Sequence, residues 1–160
     1  MTRWSHPTIM RDAPDKGSPE IEASMEISDA LEVVREQHHC VLSVLRADGS
    51  PQMSPVDVVV DADERLVISS RETAYKVKSL RRDPRVWLCI LPDAFYGRWI
   101  QVSGEVEIVS LPEAMDGLVD YYRRAGGEHE DWDDYRSAMQ RDQRCLIRVT
   151  PTAAGPDKQG

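Results

Sequence analysis

This chain is defined first by what it has little of. No apolar run comes near the roughly 20 residues that a bilayer-crossing helix needs, so no membrane role is expected. Cysteine is scarce: Cys40, Cys89 and Cys145 make an odd number, with no CxxC pair among them. Each lies among apolar neighbours and reads as a buried thiol of a reducing compartment, not as part of a disulfide framework or a structural zinc site. Positive charge is in deficit, with 20 Lys and Arg against 28 Asp and Glu and a formal charge of −8. That balance argues against nucleic acid or an anionic membrane surface as a partner, because both demand a cationic face. The first twenty residues lack the apolar core of a secretory signal, and a cytoplasmic location is expected. There is no GxGxxG, no P-loop, and no Ser–His–Asp or Cys–His arrangement.

What is present is an ordinary soluble composition, 41% apolar and 30% charged over 160 residues, enough for one domain with its own core. Residues 1–24 are rich in Pro, Asp, Ser and Gly without hydrophobic period and read as a flexible tail, residues 25–150 as the folded domain, and residues 151–160 as a second tail.

Within the domain, Ser28 is a candidate helix cap, and Ile27, Leu31 and Val34 give a short amphipathic helix ending near Gln37. Strands follow over residues 39–46, 51–61 and 65–70, joined by the turns "ADGS" and "DADE", which predicts a three-stranded meander. A helix capped by Thr73 must end near Arg82, because Pro84 disfavours helical geometry at Asp83. "RVWLCIL" (85–91) reads as a central strand, and "RWIQVSGEVEIV" (98–109) as a long strand with Ile100, Val102, Val106 and Ile108 on one face. "SLPE" (110–113) is a capping-box signal for the next helix, which "AGG" ends. A short acidic helix then precedes a last strand over residues 144–150. The expected class is mainly β with peripheral helices: six antiparallel strands in a closed or partly closed barrel, which protects its edges.

The acidic chain concentrates cations in "RETAYKVKSLRRDPRV" (71–86), where Arg71, Lys76, Lys78, Arg81, Arg82 and Arg85 face only Glu72 and Asp83. Three readings compete: a solvated helix face, a nucleic-acid contact, or a grip on a small phosphorylated ligand. The third has a mechanism. Ser69, Ser70 and Thr73 precede a helix start whose free amides and dipole favour an anion, and Lys76 lies in the first turn. Elsewhere, adjacent His38 and His39 point apart and are not joint metal ligands. His129 lies among carboxylates with no diagnostic ligand spacing, and Trp132 and Tyr135 read as anchors of a short helix. No metal site is expected.

The blocks "VLSVLRADGSPQMSPV", "VISSRETAYKVKSLRRDPRV", "WIQVSGEVEIV" and "GGEHEDWDDYRSAM" occur in that order over about residues 28–150. Together they resemble the split β-barrel flavin and deazaflavin reductase family, related to pyridoxamine 5'-phosphate oxidase, and most of all its actinobacterial branch that binds coenzyme F420, an 8-hydroxy-5-deazaflavin. The resemblance implies a six-stranded split barrel of FMN-binding type and a homodimer with two cofactor sites between subunits. It implies phosphate contacts from Ser69, Lys76 and Lys78, to which the helix-start reading adds Ser70, a ring environment from Gln52 and Ser54, and Trp99 packing near the ring. Two positions depart from the pattern: Ala74 stands where relatives often carry an arginine, and Pro55 where a polar residue is common; Arg71 is the candidate substitute for the missing charge. The expected activity is hydride transfer from the reduced deazaflavin to an unsaturated small-molecule substrate chosen by the loop around Phe95–Gly97, the N-terminal arm or the neighbouring subunit. An FMN-dependent oxidase, and a non-catalytic carrier or sensor of flavin, deazaflavin or haem, stay open as alternatives.

Overall fold

A computed structural model describes residues 24–160, so the tail read over residues 1–24 lies, apart from Ser24, outside the described residues. In chain order the elements are α1 (Ile27–Glu36), β1 (His39–Leu45), β2 (Pro51–Asp57), β3 (Val59–Val60), β4 (Leu66–Arg71), α2 (Tyr75–Arg82), β5 (Arg85–Leu91), β6 (Arg98–Val109), α3 (Met115–Gly126), α4 (Trp132–Arg141) and β7 (Arg144–Gln159). The strands form one sheet in the order β2-β1-β5-β6-β7-β4-β3, with every pairing antiparallel. The architecture is the expected antiparallel split barrel with peripheral helices, but with seven strands and not six.

The seventh strand explains how the barrel nearly closes. The segment read as one strand over residues 51–61 divides at Val58, whose N–H donates to His38 O at 2.9 Å. Before that point the chain pairs with β1; after it, Val59 and Val60 pair with Val67 and Leu66 of β4. The two ends of the sheet are therefore consecutive in sequence, and the predicted meander does not form: β4 pairs with β7, not β2. A turn signal says where a hairpin bends but not which neighbour the next strand selects.

The last strand is the other correction. Residues 151–160, read as a tail, continue β7 to Gln159 and pair with the first half of β6, Arg98 opposite Gln159 and Val102 opposite Ala154. Pro151, Gly155 and Pro156 look like turn residues, but β6 needs a partner along its whole length, and register shifts between Ile100 and Gly104 accommodate them.

Two cores result. Leu42, Val44, Leu66, Ile68, Leu88, Ile90, Ile100 and Ile147 fill the barrel, which α1 plugs with Leu31 and Val34 and α2 with Val77 and Leu80. On the other face of β3, β4 and β7, Val59, Val67 and Leu146 pack against Leu118, Val119 and Tyr135 of α3 and α4. The helix starts shift by small steps. Glu26, not Ser28, is the N-cap of α1, because Met25 N is pinned to Ala154 O at 2.9 Å and the chain turns at once. The capping box at Ser110 does not form. That hydroxyl contacts Glu72 and Arg81, and α3 begins only at Met115.

α4 has a true cap: the Asp131 carboxylate accepts from the N–H groups of Asp133 and Asp134, each at 3.0 Å. Asp131→Ala is expected to cost about 1 kcal/mol and lower the thermal midpoint by about 2–4 °C, read by differential scanning calorimetry; an unchanged midpoint would show that α4 is held by its packing alone.

Candidate functional site

The cationic segment does not make one patch. Arg81 pairs with Glu72 at 2.8 Å, Arg82 donates to Leu45 O at 2.8 Å, and Arg85 forms a fork with Asp83 at 2.9 and 2.7 Å. Hydrogen bonds from Arg85 hold the Asp83 carboxyl down to about 2. These three arginines tie α2 to its surroundings. What remains lies at the junction of β4 and α2. Ala74 N donates to Arg71 O at 3.0 Å, and the helix starts at Tyr75 from an extended Ala74. The expected Thr73 cap is absent, because that backbone turn moves the boundary on by one residue and leaves α2 without a side-chain cap. The first amides of such a helix have no intrahelical acceptor.

In front of this junction lies a cleft of about 510 Å³. Pro55 and Asp57 of β2 form one side, Ser69, Ser70 and Arg71 of β4 with Ala74 and Lys76 the second, and Tyr121, Tyr122, Tyr135 and Arg144 the third. Its charge is strongly one-sided: Arg71, Lys76 and Arg144 against Asp57. Arg71 has only a long contact, 3.8 Å, to Asp142. Neither Lys76 nor Arg144 has a carboxylate in ion-pair range among the described residues, and Arg144 Nε is buried with no hydrogen-bond partner. A buried guanidinium nitrogen without an acceptor is costly, and an anion is the acceptor its charge favours most.

Tyr121 and Tyr135 bring no negative charge. Burial first, then the nearby Asp57 carboxylate, pushes Tyr121 up to about 12, and its hydroxyl donates to Asp57 O at 3.2 Å. Burial likewise raises Tyr135, which donates to Leu118 O at 2.9 Å. Beneath the cleft, burial pushes the Cys145 thiol up to about 11, so it is a packing residue and not a nucleophile.

Of the residues singled out from sequence, Ser69, Ser70 and Lys76 line this cleft, as do Pro55, Ala74 and Arg71. Gln52 and Ser54 precede it on β2, and Gln52 Oε1 and Ser54 Oγ are buried without a hydrogen-bond partner. Lys78 does not line it: two residues on from Lys76, about 200° round the helix, it is exposed on the opposite side. Trp99 is half-buried on the outer face of β6 beside Gly160 and does not line it either. The sequence reading singles out neither Arg144, Tyr121 nor Tyr122 for the site and takes Tyr135 only as a helix anchor, a place its burial in the second core bears out. They are far from β2 in sequence: the β4–β7 pairing, with Arg71 opposite Arg144, brings in Arg144, and the packing of α3 and α4 against β3, β4 and β7 brings in the tyrosines.

The "GEHEDWDDY" block builds the far wall. Tyr122, His129, Trp132 and Tyr135 form a ring cluster with centroids 5.0–5.8 Å apart, and His129 Nδ1 accepts from Asp131 N at 3.0 Å. A separate groove of about 440 Å³ beside α1 is lined by Asp29, Glu32, Glu36 and Asp157, with Arg98 forked onto Asp157 at 3.0 and 2.8 Å; its acidity suits no phosphate. No helix among the described residues is long and apolar enough to cross a membrane.

Comparison with known proteins bears on the family and the fold. The family model described as pyridoxamine 5'-phosphate oxidase matches residues 28–155. Among solved structures the chain is similar to an F420 reductase (23% identity, 78% of this chain and 94% of that one, TM-score 0.61). It is also similar to a conserved hypothetical protein from Mycobacterium tuberculosis (22%, 87% and 88%, 0.68) and to a haem storage protein from Vibrio cholerae (19%, 85% and 98%, 0.63). At these identities the structural likeness speaks for the fold.

Proposed function

Given that this chain belongs to the pyridoxamine 5'-phosphate oxidase family, we propose that it is an oxidoreductase that holds coenzyme F420 in the cationic cleft and reduces an unsaturated organic acceptor. The observation that carries this reading is the buried Arg144 Nε, without a hydrogen-bond partner among the described residues, in the same cleft as Lys76. Bound there, the deazaflavin would supply hydride from its C5. The chain's own residues do the rest. Lys76 and Arg144 grip phosphate oxygens, Arg71 adds the charge that Ala74 lacks, and the Ser69 and Ser70 hydroxyls donate. Gln52 Oε1 and Ser54 Oγ offer their unused hydrogen-bonding capacity along β2, where the ring system would lie. Tyr121, Tyr122 and Tyr135 exclude water from the far wall.

The protein works as a homodimer in this reading, with each cleft completed by the neighbour. The supporting observation is the outer face of β2, β1, β5 and β6. Val41, Trp87, Cys89, Leu91 and Trp99 lie there half-buried, Met53 is 63% exposed, and no part of either hydrophobic core covers them. That face would bring Trp99 to the partner's cofactor. Sedimentation equilibrium is expected to give twice the chain mass; a stable monomer removes the shared site.

The decisive titration sets F420, FMN and haem side by side against the apo-protein. F420 is expected to bind at least about tenfold more tightly than FMN, a margin of about 1.4 kcal/mol. The opposite order makes the protein an FMN enzyme of the same fold, and haem alone makes it a haem binder. Raising salt from about 0.1 to about 1 M shortens the Debye length from about 10 to about 3 Å. It should weaken F420 binding several-fold while moving the urea midpoint little; salt-independent affinity would count against an ionic phosphate grip.

A further inference from the structure

β4 and β7 share a last rung made of two arginines. Arg71 ends β4, Arg144 begins β7, and the register sets them directly opposite each other. Opposed residues of an antiparallel pair project from one face, with Cβ atoms about 5 Å apart, and like charges so placed repel. Both side chains line the cationic cleft. A carboxylate is brought to this rung. α4 ends at Arg141, Asp142 is its C-cap, and only Gln143, at φ +50°, separates that cap from β7. Backbone bonds hold the turn on both sides: Asp142 N donates to Ala138 O at 2.9 Å, Gln143 N to Gln140 O at 3.1 Å, and Glu72 N to Gln143 O at 2.9 Å. From this turn the Asp142 carboxylate stands 3.8 Å from Arg71 and 3.9 Å from Arg141. Both distances exceed hydrogen-bond reach. Glu72, the acid next to Arg71 in sequence, is committed to Arg81 and Ser110.

The helix does not explain Asp142. A negative charge at a helix C-terminus opposes the dipole, so α4 gains nothing from it, and what the carboxylate faces is Arg71. We propose that Asp142 is a built-in competitor for the anion of the cleft: it balances Arg71 when no ligand is bound, and an incoming phosphate takes the guanidinium from it. The inference rests on the reading of the cleft as a phosphate site and adds to it a residue that sets its affinity. The two side chains are 59% and 34% exposed, so the exchange breaks no desolvated pair. What the phosphate gains is reach. The carboxylate is fixed to the α4–β7 turn and meets one side of the rung, whereas a phosphate in the cleft can accept from Arg71, Arg144 and Lys76 together. Asp142 thus relieves part of the repulsion between the two arginines, and holds the affinity for any anion at Arg71 below what the three cations alone would give.

Isothermal titration calorimetry of the full chain, with F420 and separately with inorganic pyrophosphate, compares the wild type with Asp142→Asn, Arg71→Ala and the double variant. Asparagine is compatible with a helix end, so the turn should persist. Asp142→Asn is expected to strengthen both ligands about two- to fivefold, the range of one exposed ion pair. In the Arg71→Ala background the same substitution should change affinity by less than about 1.5-fold, because the contact it removes is already gone. The Arg71 Nε–H resonance, assigned with Arg71→Ala, should move when pyrophosphate is added to the wild type and, without ligand, on Asp142→Asn. F420 affinity unchanged by Asp142→Asn overturns the competitor and leaves the cofactor reading standing. An equal gain with and without Arg71 also overturns it, since Asp142 would then act through net charge alone. Pyrophosphate strengthened by Asp142→Asn while F420 binds no variant supports the competitor and sinks the cofactor assignment; neither ligand bound by any of the proteins removes both.

Discussion

Lys76→Ala combined with Arg144→Ala is expected to weaken F420 binding by about two to four orders of magnitude. Each charge-assisted hydrogen bond to a phosphate contributes about 1.5–3 kcal/mol, and a tenfold loss corresponds to about 1.4 kcal/mol. The two cations line one cleft, so their effects need not add, and the single variants close a double-mutant cycle that measures the coupling. Folding should survive, because neither side chain has an ion-pair partner to abandon among the described residues. Lys78→Ala is the internal control. It removes the same charge from the same helix but from the exposed opposite side, and it should leave affinity within about twofold, apart from the weak long-range term that salt screens. Fluorescence titration of F420 reads the wild type and the four variants. Wild-type affinity in the double variant, or an equal loss from Lys78→Ala, would remove the cleft from cofactor binding.

Gly104→Ala is expected to be the most damaging single methyl group in the sheet. Gly104 pairs with Val86 of β5 on one side and with Pro151 of β7 on the other, at a register shift. A Cβ there would stand 2.5 Å from Thr150 O and 2.6 Å from Val149 Cγ1. The first is backbone, so no rotamer change relieves it. β6 and β7 must separate locally, and the strain is expected to cost about 3 kcal/mol, at the upper end for overpacking. For a domain of this size that lowers the thermal midpoint by about 6–12 °C. Gly49→Ala separates clash from backbone strain: at φ +83° it has open space around it, and the left-handed conformation alone should cost about 1–2 kcal/mol. Calorimetry on the pair decides; a Gly104 variant as stable as wild type would mean that the β6–β7 register is looser than described.

Much of the fold was legible from residues alone, and the pattern of success is physical. β5 and β6 begin and end where their sequences say, since their alternation and flanking Pro84 and Gly97 are local signals. Helix starts differ by one to four residues wherever a cap was inferred from a hydroxyl. Ser28, Thr73 and Ser110 each met a competing contact: a bridge at Met25, a turn at Arg71, and the carboxylate of Glu72. The site was half legible. Ser69, Ser70 and Lys76 sit beside a chain break between strand and helix that any reader of amide geometry would mark, but the charge run around them misled. Of its six cations, Arg81, Arg82 and Arg85 are structural ties and Lys78 faces away.

The sequence by itself determined the period of each element, the antiparallel class and the place where an anion would find free amides, because these depend on neighbours within a few residues. Only the tertiary structure decided that the strand after residue 57 would desert β1 for β4, that residues 151–159 would be sheet, and that Arg144 and three tyrosines would enclose the cleft. Those outcomes turn on which unpaired edge and which apolar face remain once the barrel has nearly closed, a competition between distant segments that no local pattern records.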